Sequence, residues 1–304
     1  MSIKIIKSTI NFLNFVVNHP LNSHRKLASI NRWLRWHIGS RIVPGSVAIQ
    51  FVNTTKLLIK PGMRGATENI YTGLCEFEEM SFLLHLLNET DTFVDVGANV
   101  GVYTVLAAGV RGASCISIEP IPTTFSHLIA NIKLNGIDNL VTAKNIGLSN
   151  QKGILNFTTD LDCKNHVIDK IDAKEFNFIE VQVDMLDNIA DKLKPTLIKI
   201  DVEGFEKYVI AGGKRTLTKD SLLAVIMELN GSSTKNENVE KILHQEMLNY
   251  GFFTYRYSPF TRTLVSLEGR ENMESRNTIY LKNIQTVEKK LKNAPSFFVN
   301  GVNV

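Results

Sequence analysis

The chain has little cysteine, no long uncharged apolar run and, over its first fifth, no acid. Its three cysteines, Cys75, Cys115 and Cys163, are odd in number and far apart. That spacing argues against a disulfide framework and against a thiolate zinc site, and it points to a reducing compartment such as the cytoplasm. The longest stretch without Lys, Arg, Asp or Glu near the start runs from Ser8 to His24 and is broken by Asn11, Asn14, Asn18, Pro20 and Asn22. It is too polar for a membrane span and lacks the small-residue cleavage site of a secretory signal. No repeat or low-complexity block interrupts the 304 residues, and 44% hydrophobic content is too high for a disordered chain. The first carboxylate is Glu68; ten of the 34 Lys and Arg residues precede it, leaving 24 against 30 acids beyond it. The net charge of +4 therefore hides a basic leader on an acidic remainder.

Residues 3–17 carry Ile3, Ile6, Ile10, Leu13 and Val17 at helical spacing, and Pro20 ends that helix. Residues 23–38 form a second basic helix with Arg25, Lys26, Arg32, Trp33, Arg35 and Trp36. Two short β segments, Val47–Val52 and Lys56–Lys60, complete a cap over residues 1–67. This cap either docks on the acidic remainder or also makes peripheral contact with an anionic membrane surface. Residues 68–304 form a second unit. A helix over Glu76–Leu87 precedes an alternation of strands (Thr92–Val96, Ser114–Glu119, Val141–Ile146, Leu197–Ile200, Leu223–Met227) and helices (Val102–Val110, Pro122–Asn135). Short strands apolar on both faces and joined by helices predict a doubly wound, mostly parallel α/β sheet. Leu155–Thr159 and Ile179–Val183 read as an inserted extended pair. Phe252–Tyr257, Thr263–Leu267 and Thr278–Lys282 lack room for crossovers and should close the sheet as antiparallel strands.

The segment Phe93-Val94-Asp95-Val96-Gly97-Ala98-Asn99-Val100-Gly101 takes a strand directly into a glycine turn and a helix. This arrangement offers backbone N–H groups at the carboxyl end of a sheet, where nucleotides bind. Gly97 permits the turn, and Gly101 would let the helix approach a ligand closely. Asp95 is placed to meet a cationic amine. Glu119 ends the next strand, where a carboxylate can accept both hydroxyls of a ribose. Pyrophosphate sites favour G-x-G-x-x-G. Here Asn99 replaces the middle glycine and the third is missing, so the pattern suits a nucleoside with a charged tail, S-adenosylmethionine. Asn145 and Gly147, after the third strand, are candidates for the adenine end.

Val94-Asp95-Val96-Gly97-Ala98-Asn99-Val100-Gly101, then Ile118-Glu119-Pro120, then Lys199-Ile200-Asp201-Val202-Glu203-Gly204-Phe205-Glu206 resemble, in order, the motifs of the FkbM-type methyltransferase family of class I methyltransferases. Asn145-Ile146-Gly147-Leu148-Ser149 and Leu186-Asp187 fall between them in family-like order, and the likeness covers roughly residues 68–282. It implies a Rossmann-like methyltransferase fold, S-adenosylmethionine as donor and a hydroxyl acceptor on a bacterial glycan sugar or a secondary metabolite.

Methyl transfer to oxygen requires close positioning and removal of a hydroxyl proton. Alternation along Leu197–Asp201 points Lys199 and Asp201 toward the glycine loop. Asp201 is the expected general base or orienting group, Lys199 its partner, and Glu228 the acid that completes the pocket. Asp201, Glu203 and Glu228 could together hold Mg²⁺. No His or Asn at ligand spacing joins them, so no metal is expected. Glu203 and Glu206 are placed equally well to cap the following helix, and Asp187 reads as an N-cap. Tyr71 and Glu76 are candidates for a lid. The acceptor pocket should draw on the N-terminal segment, the Gly153–Val183 insertion and the Tyr255–Arg276 region. The alternatives are a nicotinamide oxidoreductase and a noncatalytic binding protein on a methyltransferase fold. A nucleic-acid methyltransferase is disfavoured, because the basic residues lie outside the fold and no Asn-Pro-Pro-Tyr-type motif is present.

Overall fold

Neighbouring residues of the central strands are buried on opposite faces of one sheet. Phe93, Cys115, Leu197 and Ile226 enter one apolar core, while Val94, Ile116, Ile198 and Val225 enter the other. Such strands need cover on both sides, and the chain supplies it with helices. The computed structural model describes residues 2–42, 45–159, 165–168, 177–229, 237–272 and 275–304. Cys163 lies outside the described residues.

The N-terminal layer comprises α1 (Ser2–Asn18), α2 (Lys26–Ile42) and the antiparallel hairpin β1 (Val47–Gln50) and β2 (Lys56–Ile59). Then follow α3 (Arg64–Thr72), α4 (Phe77–Leu86), β3 (Thr92–Val96), α5 (Val102–Thr104, continued by a π-helical turn over Val105–Val110), β4 (Ser114–Ile118), α6 (Pro122–Leu134) and β5 (Val141–Lys144). The insertion folds as β6 (Gly147–Leu148), β7 (Gly153–Thr158), β8 (Val167–Ile168) and β9 (Phe178–Asp184), in a separate four-stranded sheet. Next come α7 (Leu186–Ile189), β10 (Leu197–Ile200), α8 (Glu206–Ala211), α9 (Lys214–Leu217), β11 (Ala224–Glu228) and α10 (Glu237–Asn249). The chain closes with β12 (Phe253–Ser258), β13 (Thr263–Ser266), β14 (Asn277–Leu281), α11 (Ile284–Asn293), β15 (Phe298–Val299) and β16 (Val302–Asn303).

The main sheet has eight strands in the order β13-β12-β14-β11-β10-β3-β4-β5. From β11 to β5 all neighbours are parallel, and β12, β13 and β14 pair antiparallel, as expected from the sequence. After β3 the chain builds outward to β5 and then returns to lay β10 on the other side of β3. That reversal opens a crevice at the carboxyl ends of β3 and β10, where ligands of open α/β sheets bind. The sequence did not reveal α11, which packs on α4, or the β15–β16 hairpin.

The N-terminal layer is held by burial and by amide hydrogen bonds. On α6, Asn131 accepts a hydrogen bond from Leu58 N (2.7 Å) and donates to the Val100 carbonyl (2.8 Å). One turn on, Asn135 accepts from Lys56 N and donates to Lys56 O, both at 2.8 Å. These side chains satisfy the open edge of β2. Asn22 and Arg32 both donate to the carbonyl of Tyr71, at 2.9 and 3.0 Å. Among the described residues no helix is long and apolar enough to cross a membrane.

Candidate functional site

A cavity of about 400 Å³ fills the crevice, and its wall includes every site residue expected from the sequence except Gly101 and Asn145. Asp95, in β3, accepts a hydrogen bond from Thr104 Oγ1 at 2.7 Å, and Thr104 also meets Ser117 Oγ at 2.7 Å. The turn after β3 is tied to β4: Gly97 N and Ala98 N both donate to the Ile118 carbonyl, at 3.0 and 2.9 Å. Asn99 adopts a left-handed conformation, φ +50°, and its side chain accepts from Val100 N (2.7 Å). This local bond is one that asparagine can make and that favours it at such a position. Asn99 N donates to Glu119 Oε2 (3.0 Å) and Ile121 N to Glu119 Oε1 (2.9 Å), which fixes the carboxylate with lone pairs still to offer.

Two expected roles need correction. Gly101 lies outside the cavity wall; its φ of +89°, strained for any side chain, accounts for the glycine, and a β-carbon there would also stand 2.6 Å from Leu128 Cδ1 of α6. Asn145 turns away from the cavity and donates to the carbonyls of Glu119 and Pro120, at 2.8 and 2.9 Å. It therefore positions Glu119. Gly147 does line the cavity, and a side chain there would collide with Phe157 and Val183.

β10 supplies the other half. Lys199 sits opposite Asp95 in the parallel register, so both side chains emerge on the α4–α5 side of the sheet. Lys199 Nζ is 2.6 Å from Asp201 Oδ2 and 4.8 Å from the centre of the Tyr103 ring. Tyr103 donates to Glu76 Oε2 at 2.6 Å, and Asn277 Nδ2 donates to Glu76 Oε1 at 2.9 Å. Glu228, the last residue of β11, is opposite Asn277. Ser275 Oγ donates to Glu79 (3.0 Å) and Arg276 O accepts from Leu229 N (2.7 Å). The backbone around Arg276 is thereby pinned while its side chain lines the cavity.

Burial dominates the electrostatics. It lifts the carboxyl of Asp95 to about 6 and that of Glu119 to about 7, against the opposing pull of Lys199 and of backbone N–H groups respectively. Glu228 rises to about 9 through burial and the nearby charge of Asp201. Burial also works against ionised Asp201, but Lys199 and a hydrogen bond from Glu228 outweigh it and hold Asp201 below the usual carboxylate range. Lys199 keeps its proton because Asp201, Glu76 and Asp95 overcome its desolvation. At neutral pH the floor of the cavity is therefore an ammonium, a carboxylate and a neutral carboxylic acid in contact. Ligand atoms of Asp201, Glu203 and Glu228 do converge within 4.8 Å, but the Lys199 ammonium already neutralises Asp201.

The remaining sequence candidates are structural. Glu206, not Glu203, caps the turn before α8, accepting from Val202 N and Gly204 N at 3.2 and 3.1 Å. Asp187 caps α9 rather than its own helix, through Thr216 N at 2.7 Å and Arg215 N at 3.0 Å. Tyr71 is buried against Phe12 and His37 in the N-terminal layer, so it is no lid. Sequence reasoning missed Tyr103 and Asn277, whose only signal is proximity in the fold, whereas Arg276 ends the Tyr255–Arg276 region expected to serve the acceptor pocket.

The Methyltransferase FkbM domain model matches residues 95–254, more than half of the chain. The chain belongs to the FkbM methyltransferase family. It is an S-adenosylmethionine-dependent methyltransferase, not a nicotinamide oxidoreductase. The hexuronic acid methyltransferase AglP of Haloferax volcanii is 26% identical over 174 residues, 57% of this chain and 70% of its own length. A tRNA (guanine(37)-N(1))-methyltransferase of Danio rerio is 29% identical over 130 residues, 41% of this chain but 27% of its own. The crystal structure of methyltransferase FkbM from Methylobacillus flagellatus superposes with a TM-score of 0.45 at 16% identity, over 71% of this methyltransferase. The chain spans 54% of that protein's length.

Proposed function

We propose that this methyltransferase methylates a hydroxyl oxygen of a sugar in a glycan, or of a secondary metabolite. The observation that carries the reading is the Lys199–Asp201–Glu228 group on the floor of the cavity, beside the glycine turn. S-adenosylmethionine, when bound, supplies the electrophilic methyl group. Asp95 and Glu119 suit its cationic and ribose portions: both are buried carboxylates in the cavity wall, and Glu119 is held by two backbone N–H groups. Gly97, Asn99 and Gly147 shape that half of the cavity, while Gly101 and Asn145 act from behind it.

A hydroxyl must lose its proton as it attacks, and Asp201 is the ionised acceptor on the floor. Lys199 holds Asp201 ionised and oriented, and Glu228 shares a proton with it. A hydroxyl hydrogen-bonded to Asp201 would be oriented for an in-line displacement. The sugar class is supported by the hexuronic acid methyltransferase relative. Among the described residues the cavity wall carries seven acidic side chains, of which Glu228 is neutral at neutral pH, against Lys199 and Arg276, an acidic balance that disfavours the phosphates of a nucleic acid. We further propose that residues 1–67 act as a cap on a methyltransferase domain of residues 68–304, in the cytoplasm and in peripheral contact with membrane. The free thiols Cys75 and Cys115 suit a reducing compartment.

The test is calorimetric titration with S-adenosylmethionine, with NAD as control, followed by labelled methyl transfer to uronate and neutral-sugar glycosides. Saturable donor binding, lost in Asp95→Ala and Glu119→Ala, with label in a sugar that Asp201→Asn abolishes, is the expected result. Label entering tRNA and no sugar would overturn the acceptor assignment.

A further inference from the structure

Helix α2 turns two different faces to its surroundings. Arg32, Trp33, Trp36 and His37 face inward: Arg32 bonds to Asn22 and Tyr71, His37 stacks on Tyr71 with Trp33 tilted against it, and Trp36 packs on the main core. At about 100° per residue the opposite face carries Leu27, Leu34, Ile38 and Ile42 within a narrow stripe. These four are 84%, 44%, 58% and 73% exposed. Arg35 and Arg41 flank the stripe on its two sides and are exposed as well, as is Lys26 in the first turn of the helix. A solvated helix gains nothing from such a stripe, and the core has no use for it.

We infer that this face of α2 docks on the surface of an anionic lipid bilayer, with the aliphatic stripe in the headgroup boundary and the flanking cations on acidic headgroups. Charge selects the occupant. Residues 1–67 contain ten Lys or Arg and no acid, so the layer is complementary to a negative surface. A second copy docking through the same stripe would bring the Arg35 and Arg41 cations of one α2 against a helix that carries cations and no acid. The placement also suits the catalytic unit. α2 packs on α3, and Gly65 and Glu68 of α3 line the cavity, so the docked face lies one helix away from the cavity wall. The surface rests on the peripheral membrane contact proposed above, to which it gives a site, and does not depend on the acceptor assignment.

The experiment is flotation of the full chain with vesicles of phosphatidylcholine alone, and of phosphatidylcholine with about one third phosphatidylglycerol. The chain should float with the anionic vesicles and not the neutral ones, and high salt should release it. Leu34→Glu with Ile38→Glu, and separately Arg35→Glu with Arg41→Glu, should each lower the bound fraction by about tenfold or more. Both pairs are exposed, so melting temperature and S-adenosylmethionine binding should stay at wild-type values and report that the fold is intact. Failure to float with anionic vesicles, or flotation unchanged in both double variants, overturns the inference. So does a dimer in sedimentation velocity that Leu34→Glu with Ile38→Glu dissociates, which would assign the stripe to a second copy.

Discussion

A β-carbon on Gly97 would stand 1.8 Å from the carbonyl oxygen of Asp201. The turn after β3 and the end of β10 thus meet backbone to backbone, and one contact sets both the glycine turn and the carboxylate proposed to react. Gly97 also has φ +79°, where a side chain is strained in any surroundings. Gly97→Ala should cost about 3 kcal/mol or more of stability and remove donor binding. Gly136→Ala, at φ +61° with open space around it, should cost only about 1 kcal/mol and spare the donor site. Urea denaturation with calorimetry measures both; equal losses would refute the contact's role.

Asp201→Asn should lower kcat by about 100-fold or more while the Kd for S-adenosylmethionine moves by less than about threefold. The amide keeps the shape but cannot take a proton. Single-turnover assays at saturating donor read the first quantity and calorimetry the second.

Burial holds Glu119 at about 7, and only its ionised form accepts from two hydroxyls. Donor affinity should therefore strengthen by about tenfold between about pH 6 and about pH 8. Glu119→Gln should bind weakly and without that slope. A wild-type affinity that is flat across the range would assign the ribose contact elsewhere.

Asp95, at about 6, Glu79, Glu119 and Glu206, at about 7, and Glu228, at about 9, are all raised by burial. The folded chain holds protons that the unfolded chain has released. Their stabilisation is complete below the ordinary carboxylate range and is lost as pH rises through these values. His19 and His85, lowered to about 4 by burial, act oppositely and stabilise only above the ordinary histidine range. The melting temperature of the ligand-free protein should fall steadily from about pH 6.5 to about pH 9. Glu228→Gln should flatten the upper part of that fall, and a melting temperature that rises with pH would contradict the protonation scheme.

Asn131 joins the buried edge of β2 to the glycine turn. Asn131→Ala strands Leu58 N and the Val100 carbonyl and should cost about 2–4 kcal/mol. Because Val100 belongs to the glycine turn proposed to hold the donor, S-adenosylmethionine affinity should fall as well. The more exposed Asn135→Ala should cost less than about 1 kcal/mol and leave the donor unaffected.

The alternation of apolar strands and helices was legible because each strand shows both of its buried faces in its own residues. The antiparallel close of the sheet followed from connections too short for a crossover. The π-helical turn after Thr104 was not legible: Arg111 N reaches back to the Leu106 carbonyl, and residue spacing does not distinguish that from an α-helix. The two misjudged site residues fail for a related reason. The side chain of Asn145 is claimed by the Glu119–Pro120 backbone, and Gly101 is fixed by its left-handed backbone beside Leu128, and neither partner is near in sequence.

The sequence by itself determined the half of the cavity proposed for the donor. Asp95, Gly97, Asn99 and Glu119 lie on a strand, a turn and the next strand end, where local geometry places them. Only the tertiary structure decided the half proposed for the acceptor. Glu76 and Asn277 are 201 residues apart in the chain and 2.9 Å apart in space, and Lys199, Asp201 and Glu228 take their protonation states from one another and from their common burial. Such couplings depend on distance and dielectric, which exist only once β3, β10, β11 and β14 lie side by side.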